Sequence, residues 1–124
     1  MILVDTSVWI DHLRRGDALL THVLEIGLVL CHPFVIGELA CGHLRQRTRV
    51  LGAMEVLPSA PVATHREALV FVERHALAGR GIGWVDAHLL ASTALAGGTK
   101  LWTRDKRVAG IANDLGLVWH TTQS

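Results

Sequence analysis

Short apolar runs alternate along this chain with stretches of helical period. Met1 to Val4 predicts a buried strand ending at Asp5, after which Thr6 or Ser7 can cap a helix that turns Trp9, Ile10 and Leu13 inward. Gly16-Asp17 breaks that helix, and Ala18 to Ile26 predicts a second. After Gly27, Leu28 to Cys31 reads as another strand. Pro33 suits a first helical turn, so a helix is expected over Phe34 to Leu44, and Arg45 to Leu57 is helical as well. Pro58 and Pro61 frame a short strand near Val62. Thr64-His65-Arg66-Glu67 has the form of a capping box ahead of Leu69, Val70 and Val72, in a helix running to the loop Gly79-Arg80-Gly81. Val85 to Ala96 predicts an apolar helix closed by Gly97-Gly98. Lys100 to Thr103 is a strand, Asp105 can cap a helix to Leu115, and Leu117 to Trp119 is a last strand.

Strands separated by helices imply a mainly parallel sheet covered on both faces, a three-layer α/β/α sandwich. With 124 residues, a single domain over 1–124 is expected. In such sheets ligands sit beyond the carboxyl ends of the strands, so the chemistry is sought there.

Composition narrows the reading further. Half the residues are hydrophobic, mean hydropathy is +0.35 and only 19% are charged, which excludes a disordered or solvating segment. The formal charge of +1 supplies no global field for nucleic acid, so any such contact must be local. No apolar run approaches the ~18 residues of a spanning helix, and no basic segment precedes the first apolar run. No membrane association is expected. Two cysteines without a CxxC, Cys31 and Cys41, fit a reducing cytoplasm. The apolar excess in so small a chain points to a partner or a second copy.

Four acids stand where strands end or helices begin. Asp5 follows the first strand, Asp105 follows a later one, Glu38 lies early in the helix after the second, and Asp86 opens the apolar helix. Each alone has an ordinary explanation. Asp5 and Asp105 could be caps, Asp86 could favour the helix dipole, and Glu38 could be a solvated helix residue. Together at one sheet edge they repel one another and call for a cation. An oxygen-only set suits Mg²⁺ or Mn²⁺ rather than zinc.

DTSVWID at Asp5 to Asp11, the helical Glu38, Asp86 within WVDAHLLASTA and LWTRDKR at Leu101 to Arg107 together resemble the PIN-domain family. The resemblance runs from Leu3 to Val118, and the small size is similar to VapC-type toxins of toxin–antitoxin pairs. It implies a PIN-like fold and a metal-dependent endoribonuclease whose quartet, catalytic and metal-holding, is Asp5, Glu38, Asp86 and Asp105. Mg²⁺ would be the cofactor, with Mn²⁺ substituting, activating water to leave a 5′-phosphate and a 3′-hydroxyl. Thr6, Ser7 and Thr103 become candidates for orienting water or phosphate. An antitoxin protein, an RNA substrate and a homodimer are the implied partners. One departure stands after Asp105, where Lys106, Arg107 and Val108 replace the aromatic of many relatives.

Ten of the twelve basic residues are Arg, and Arg104, Lys106 and Arg107 surround Asp105 where an RNA backbone would pass. Arg45, Arg47 and Arg49 read as solvated charge. The eight histidines never fall three or four apart, so no helix face offers a zinc pair, and core or surface roles suit them better. Trp9 and Trp84 lie close to Asp5 and Asp86 in the chain and are expected to pack rather than stack on bases. A phosphoacceptor receiver is excluded, because no Asp lies between Asp17 and Asp86, and Asp5-Thr6-Ser7 lacks the second acid of a haloacid-dehalogenase-type phosphatase. The remaining alternative is a catalytically silent PIN-like module that binds protein or RNA.

Overall fold

The computed structural model describes residues 1–121, so the last three residues of the expected 1–124 domain lie outside the described residues. Three parallel strands form the sheet: β1 (Ile2–Val4), β2 (Val29–Leu30) and β3 (Lys100–Trp102), in the order β2-β1-β3. Ile2 pairs with Val29 on one side and Lys100 on the other. Ile2, Leu3 and Val4 are all buried although successive side chains point to opposite faces, so the central strand is covered above and below. Single bridges extend the two edges, Cys31 to Ser59 beyond β2 and Leu101 to Val118 beyond β3.

Seven helices complete the described residues: α1 (Thr6–Arg15), α2 (Ala18–Glu25), α3 (Pro33–Cys41), α4 (Arg47–Glu55), α5 (His65–Arg74), α6 (Trp84–Leu95) and α7 (Lys106–Asp114). Their termini show why the sequence divides there. Asp17 caps α2 through the Leu20 amide, and Asp105 caps α7 through the amides of Arg107 and Val108. Thr64 and Glu67 form the expected capping box at the start of α5.

Several expectations are corrected. Asp5, not Thr6 or Ser7, caps α1: its side chain accepts from the Thr6 amide. Val8 rather than Ile10 turns inward with Trp9, because the face of α1 that meets the sheet carries Val8; Ile10 is exposed. α3 stops at Cys41 and α4 begins at Arg47, behind Gln46 in a left-handed conformation. α5 ends at Arg74, well before Gly79, since Ala76 also adopts a positive φ. The short strand near Val62 is absent, and the contact falls on Ser59 instead, leaving Val62 exposed. Leu117 to Trp119 contributes one bridge rather than a strand, although both neighbours of Val118 hydrogen-bond to Leu101.

His32 is the largest polar side chain sealed in the core. It caps α3: its Nδ1 accepts from the Phe34 amide at 3.0 Å, which leaves Nε2 to donate to Ser92 Oγ at 3.1 Å. Ser92 Oγ also accepts from the Ala63 amide at 3.3 Å. Burial and the neighbouring His88 push the His32 imidazole down to about 4, so it is neutral near pH 7.

Candidate active site

Parallel pairing of neighbouring strands dictates the first half of the site. The Asp5 amide donates to the Trp102 carbonyl at 2.9 Å, which carries the β1–β3 ladder to its carboxyl end. Asp5 and Thr103 therefore leave the sheet side by side. Thr103 Oγ1 donates to Asp5 Oδ2 at 2.7 Å and accepts from the Asp105 amide at 3.1 Å. One hydroxyl thus joins the first acid to the backbone of the last. Ser7 Oγ donates to the same Asp5 oxygen at 3.0 Å, while the Thr6 amide holds Oδ1 at 2.7 Å. Asp5 is buried, with Oδ2 accepting two hydrogen bonds and Oδ1 one.

The other acids come from helices aimed at this edge. Glu38 lies on α3, whose start is fixed by His32, and it accepts from Thr6 Oγ1 at 2.6 Å. Asp86 lies in the first turn of α6 and reaches back to the Gly83 amide at 3.1 Å. Its carboxyl sits above the ordinary value. Burial is the main cause, opposed by the Gly83 hydrogen bond, and the charges of Asp5, Asp105 and Glu38 push it further. All four expected acids therefore share one electrostatic neighbourhood. Among the described residues, however, no three His, Cys, Asp or Glu side chains are gathered closely enough to hold a metal ion. The donor chemistry still fits a hard divalent cation. The groups are carboxylate oxygens, and the repulsion borne by Asp86 is what a cation would relieve.

Thr6, Ser7 and Thr103 are all at this edge, and each hydroxyl proton is committed to a carboxylate: Thr6 to Glu38, Ser7 and Thr103 to Asp5. Lys106 and Arg107 are exposed beside Asp105. Arg107 Nη1 donates to the Gly81 carbonyl at 3.4 Å and lies against that glycine, whose φ is +81°. Arg104 is differently placed from the other two. Its guanidinium binds Asp11 and Asp17 at once and stands 6.0 Å from the Trp102 ring. Trp9 is buried as expected, whereas Trp84 is exposed and meets His65 and His88 edge-on. Sequence reasoning missed Asp11 and Asp17. The available signal was topological: neighbouring parallel strands bring the helix after β1 next to the residues after β3.

A PIN domain family model matches residues 2–114. The chain is 53% identical over 117 residues to the protein called Ribonuclease VapC32 in each of two strains of Mycobacterium tuberculosis, with 94% of either chain covered. The order of the strands, the acids at their carboxyl edge and this likeness over nearly the whole length agree, and the chain belongs to the PIN domain family.

Proposed function

We propose that this chain, as one PIN-like domain over 1–124, is a Mg²⁺- or Mn²⁺-dependent endoribonuclease, the toxin of a toxin–antitoxin pair. The observation that carries the reading is geometric: Thr6, Ser7 and Thr103 tie Asp5, Glu38 and the Asp105 backbone together at one sheet edge, and beside them the Asp86 carboxyl is raised, first by burial and then by the charges of those three acids. A protein gains nothing in stability from such an arrangement, so a ligand of opposite charge explains it. The relative named a ribonuclease supports RNA as the substrate. Asp5, Glu38, Asp86 and Asp105 would hold the ion. When bound, it would lower the pKa of a water and neutralise charge building on the phosphate. Ser7 and Thr103 fix Asp5, Thr6 fixes Glu38, and Thr103 ties the Asp105 backbone to the Asp5 carboxylate. Lys106 and Arg107 would meet the RNA backbone. The products would carry 5′-phosphate and 3′-hydroxyl ends.

Exposed Leu69 and Val70 on α5, with Ile10 on α1, support association with an antitoxin and with a second copy. No helix among the described residues is long and apolar enough to cross a membrane, and unpaired Cys31 and Cys41 suit a cytoplasmic setting. The open spacing of the acids favours a second reading, a catalytically silent module that binds protein or RNA. Mapping of 5′ ends in total RNA treated with the protein and Mn²⁺, beside Asp86→Asn, separates the two. New ends confined to the unaltered chain support the nuclease. Identical maps, with no Mn²⁺ uptake by either protein, leave the module.

A further inference from the structure

We infer that Arg104 is a positioning residue for Asp5 and not a contact for RNA phosphate; the kinetic consequence rests on the nuclease reading. The guanidinium is held between the carboxylates of Asp11, on α1, and Asp17, the cap of α2. Its planar fork suits two carboxylates approaching from one side. Both acids lie below their ordinary values. For Asp11 the Arg104 hydrogen bond is the largest cause; for Asp17 burial opposes, outweighed by the Leu20 amide and Arg104 together. Arg15 also pairs with Asp11, at 3.5 Å, so two guanidiniums and two carboxylates balance, and the Arg104 charge is already neutralised where it stands.

The backbone of the same residue faces inward. The Arg104 amide donates to Ser7 Oγ at 3.0 Å, and Ser7 Oγ donates to Asp5 Oδ2. The side chain pulls residue 104 toward the α1–α2 junction, and the amide thereby orients the Ser7 hydroxyl so that its proton points at Asp5. Two acids outside the site thus act on one inside it through a single residue.

The two roles predict opposite signs for one variant. Asp11→Asn/Asp17→Asn removes both charges that hold the Arg104 guanidinium and weakens the clamp without touching the edge. If Arg104 positions Asp5, this variant lowers kcat on a defined single-stranded RNA by about ten- to a hundred-fold, with KM within about two-fold. Arg104→Gln does the same, Arg104→Lys recovers part of the loss, and the salt dependence of KM is unchanged in all three. If Arg104 grips RNA, the double variant binds RNA more tightly, Arg104→Gln raises KM at constant kcat and the salt dependence flattens; either result overturns the inference. Hydrogen exchange at the Arg104 amide is the readout that survives failure of the nuclease reading. Protection lost there in the double variant, with the β1 and β3 amides still protected, supports the clamp. Unchanged protection overturns it, whether or not the protein cleaves RNA.

Discussion

Two polar groups are buried at the carboxyl ends of adjacent strands, Asp5 after β1 and His32 after β2, and their surroundings differ in kind. His32 is neutral near pH 7, both ring nitrogens are engaged, and its partner Ser92 is engaged in turn. The polar side-chain atoms of His32 are all paired, although Nδ1 of the neighbouring His88 is buried without a partner. Asp5 accepts three hydrogen bonds, yet the acids around it add to the burial that raises Asp86. A closed polar network stabilises the fold and fixes α3, whereas an edge with unbalanced charge is stabilised only by something from outside. Hydrogen-bond satisfaction alone would rank these places equal; the sign and balance of charge separate them.

The largest effect that sharpens the contrast is on activity. Asp86→Asn removes one repelling charge and should lower RNA cleavage by on the order of a thousand-fold. Its unfolding stability at pH 7 should hold or rise slightly, because the ionised form carries a cost, screened by solvent, that the amide lacks. Urea titration beside cleavage kinetics checks both; a parallel loss of stability would show that the edge is structural.

His32 should behave in the reverse way. His32→Ala should cost about 3 kcal/mol, since it opens a cavity and strips the Phe34 amide and Ser92 of partners. The folded value of His32, about 4, lies below the ordinary 6.5, so the unfolded chain takes up the proton first as pH falls. Its contribution is complete above pH 6.5 and is lost toward pH 4, by roughly 3 kcal/mol. Urea midpoints between pH 7 and 4.5 should fall in the unaltered chain and show a shallower slope in the variant.

A smaller effect probes the joint between first and last acid. Thr103→Val keeps the shape and removes a hydroxyl that serves Asp5 and the Asp105 amide. Cleavage should drop about ten-fold and stability by about 1–2 kcal/mol. Smallest is Gly81→Ala, where a Cβ would stand 2.7 Å from Arg107 Nη1 at a φ of +81°. The Arg107 side chain can swing away, so the cost is mainly conformational, about 1 kcal/mol in thermal unfolding.

The sequence carried the fold where local chemistry decides it. The capping box at Thr64, the cap at Asp105 and the glycine breaks place α5, α7 and the loops between helices. It carried less where the third dimension decides. Ile10 and Val8 are equally apolar letters, and only the placement of α1 on the sheet shows which faces inward. The end of α5 at Arg74 depends on a left-handed Ala76, a residue with no preference for that conformation. Asp5 and Asp105 were legible because strand ends announce them, whereas Asp86 and Glu38, on α6 and α3, stood out only beside them and through the family resemblance. The tie from Arg104 to Asp11 and Asp17 was not, because it joins segments nearly ninety positions or more apart through a long side chain that no local period marks.

The hydrogen bond from Thr103 to Asp5 spans 98 residues, and synthesis proceeds from the other end of that span. A nascent chain that already holds Asp5 has neither β3 to pair with β1 nor the hydroxyl that grips Asp5 until the 98 positions up to Thr103 have been added. Truncated or stalled products therefore lack the assembled edge. Whatever the edge does to RNA, the ribosome making it is exposed to that activity only once Thr103 and Asp105 have been added and folded back onto Asp5.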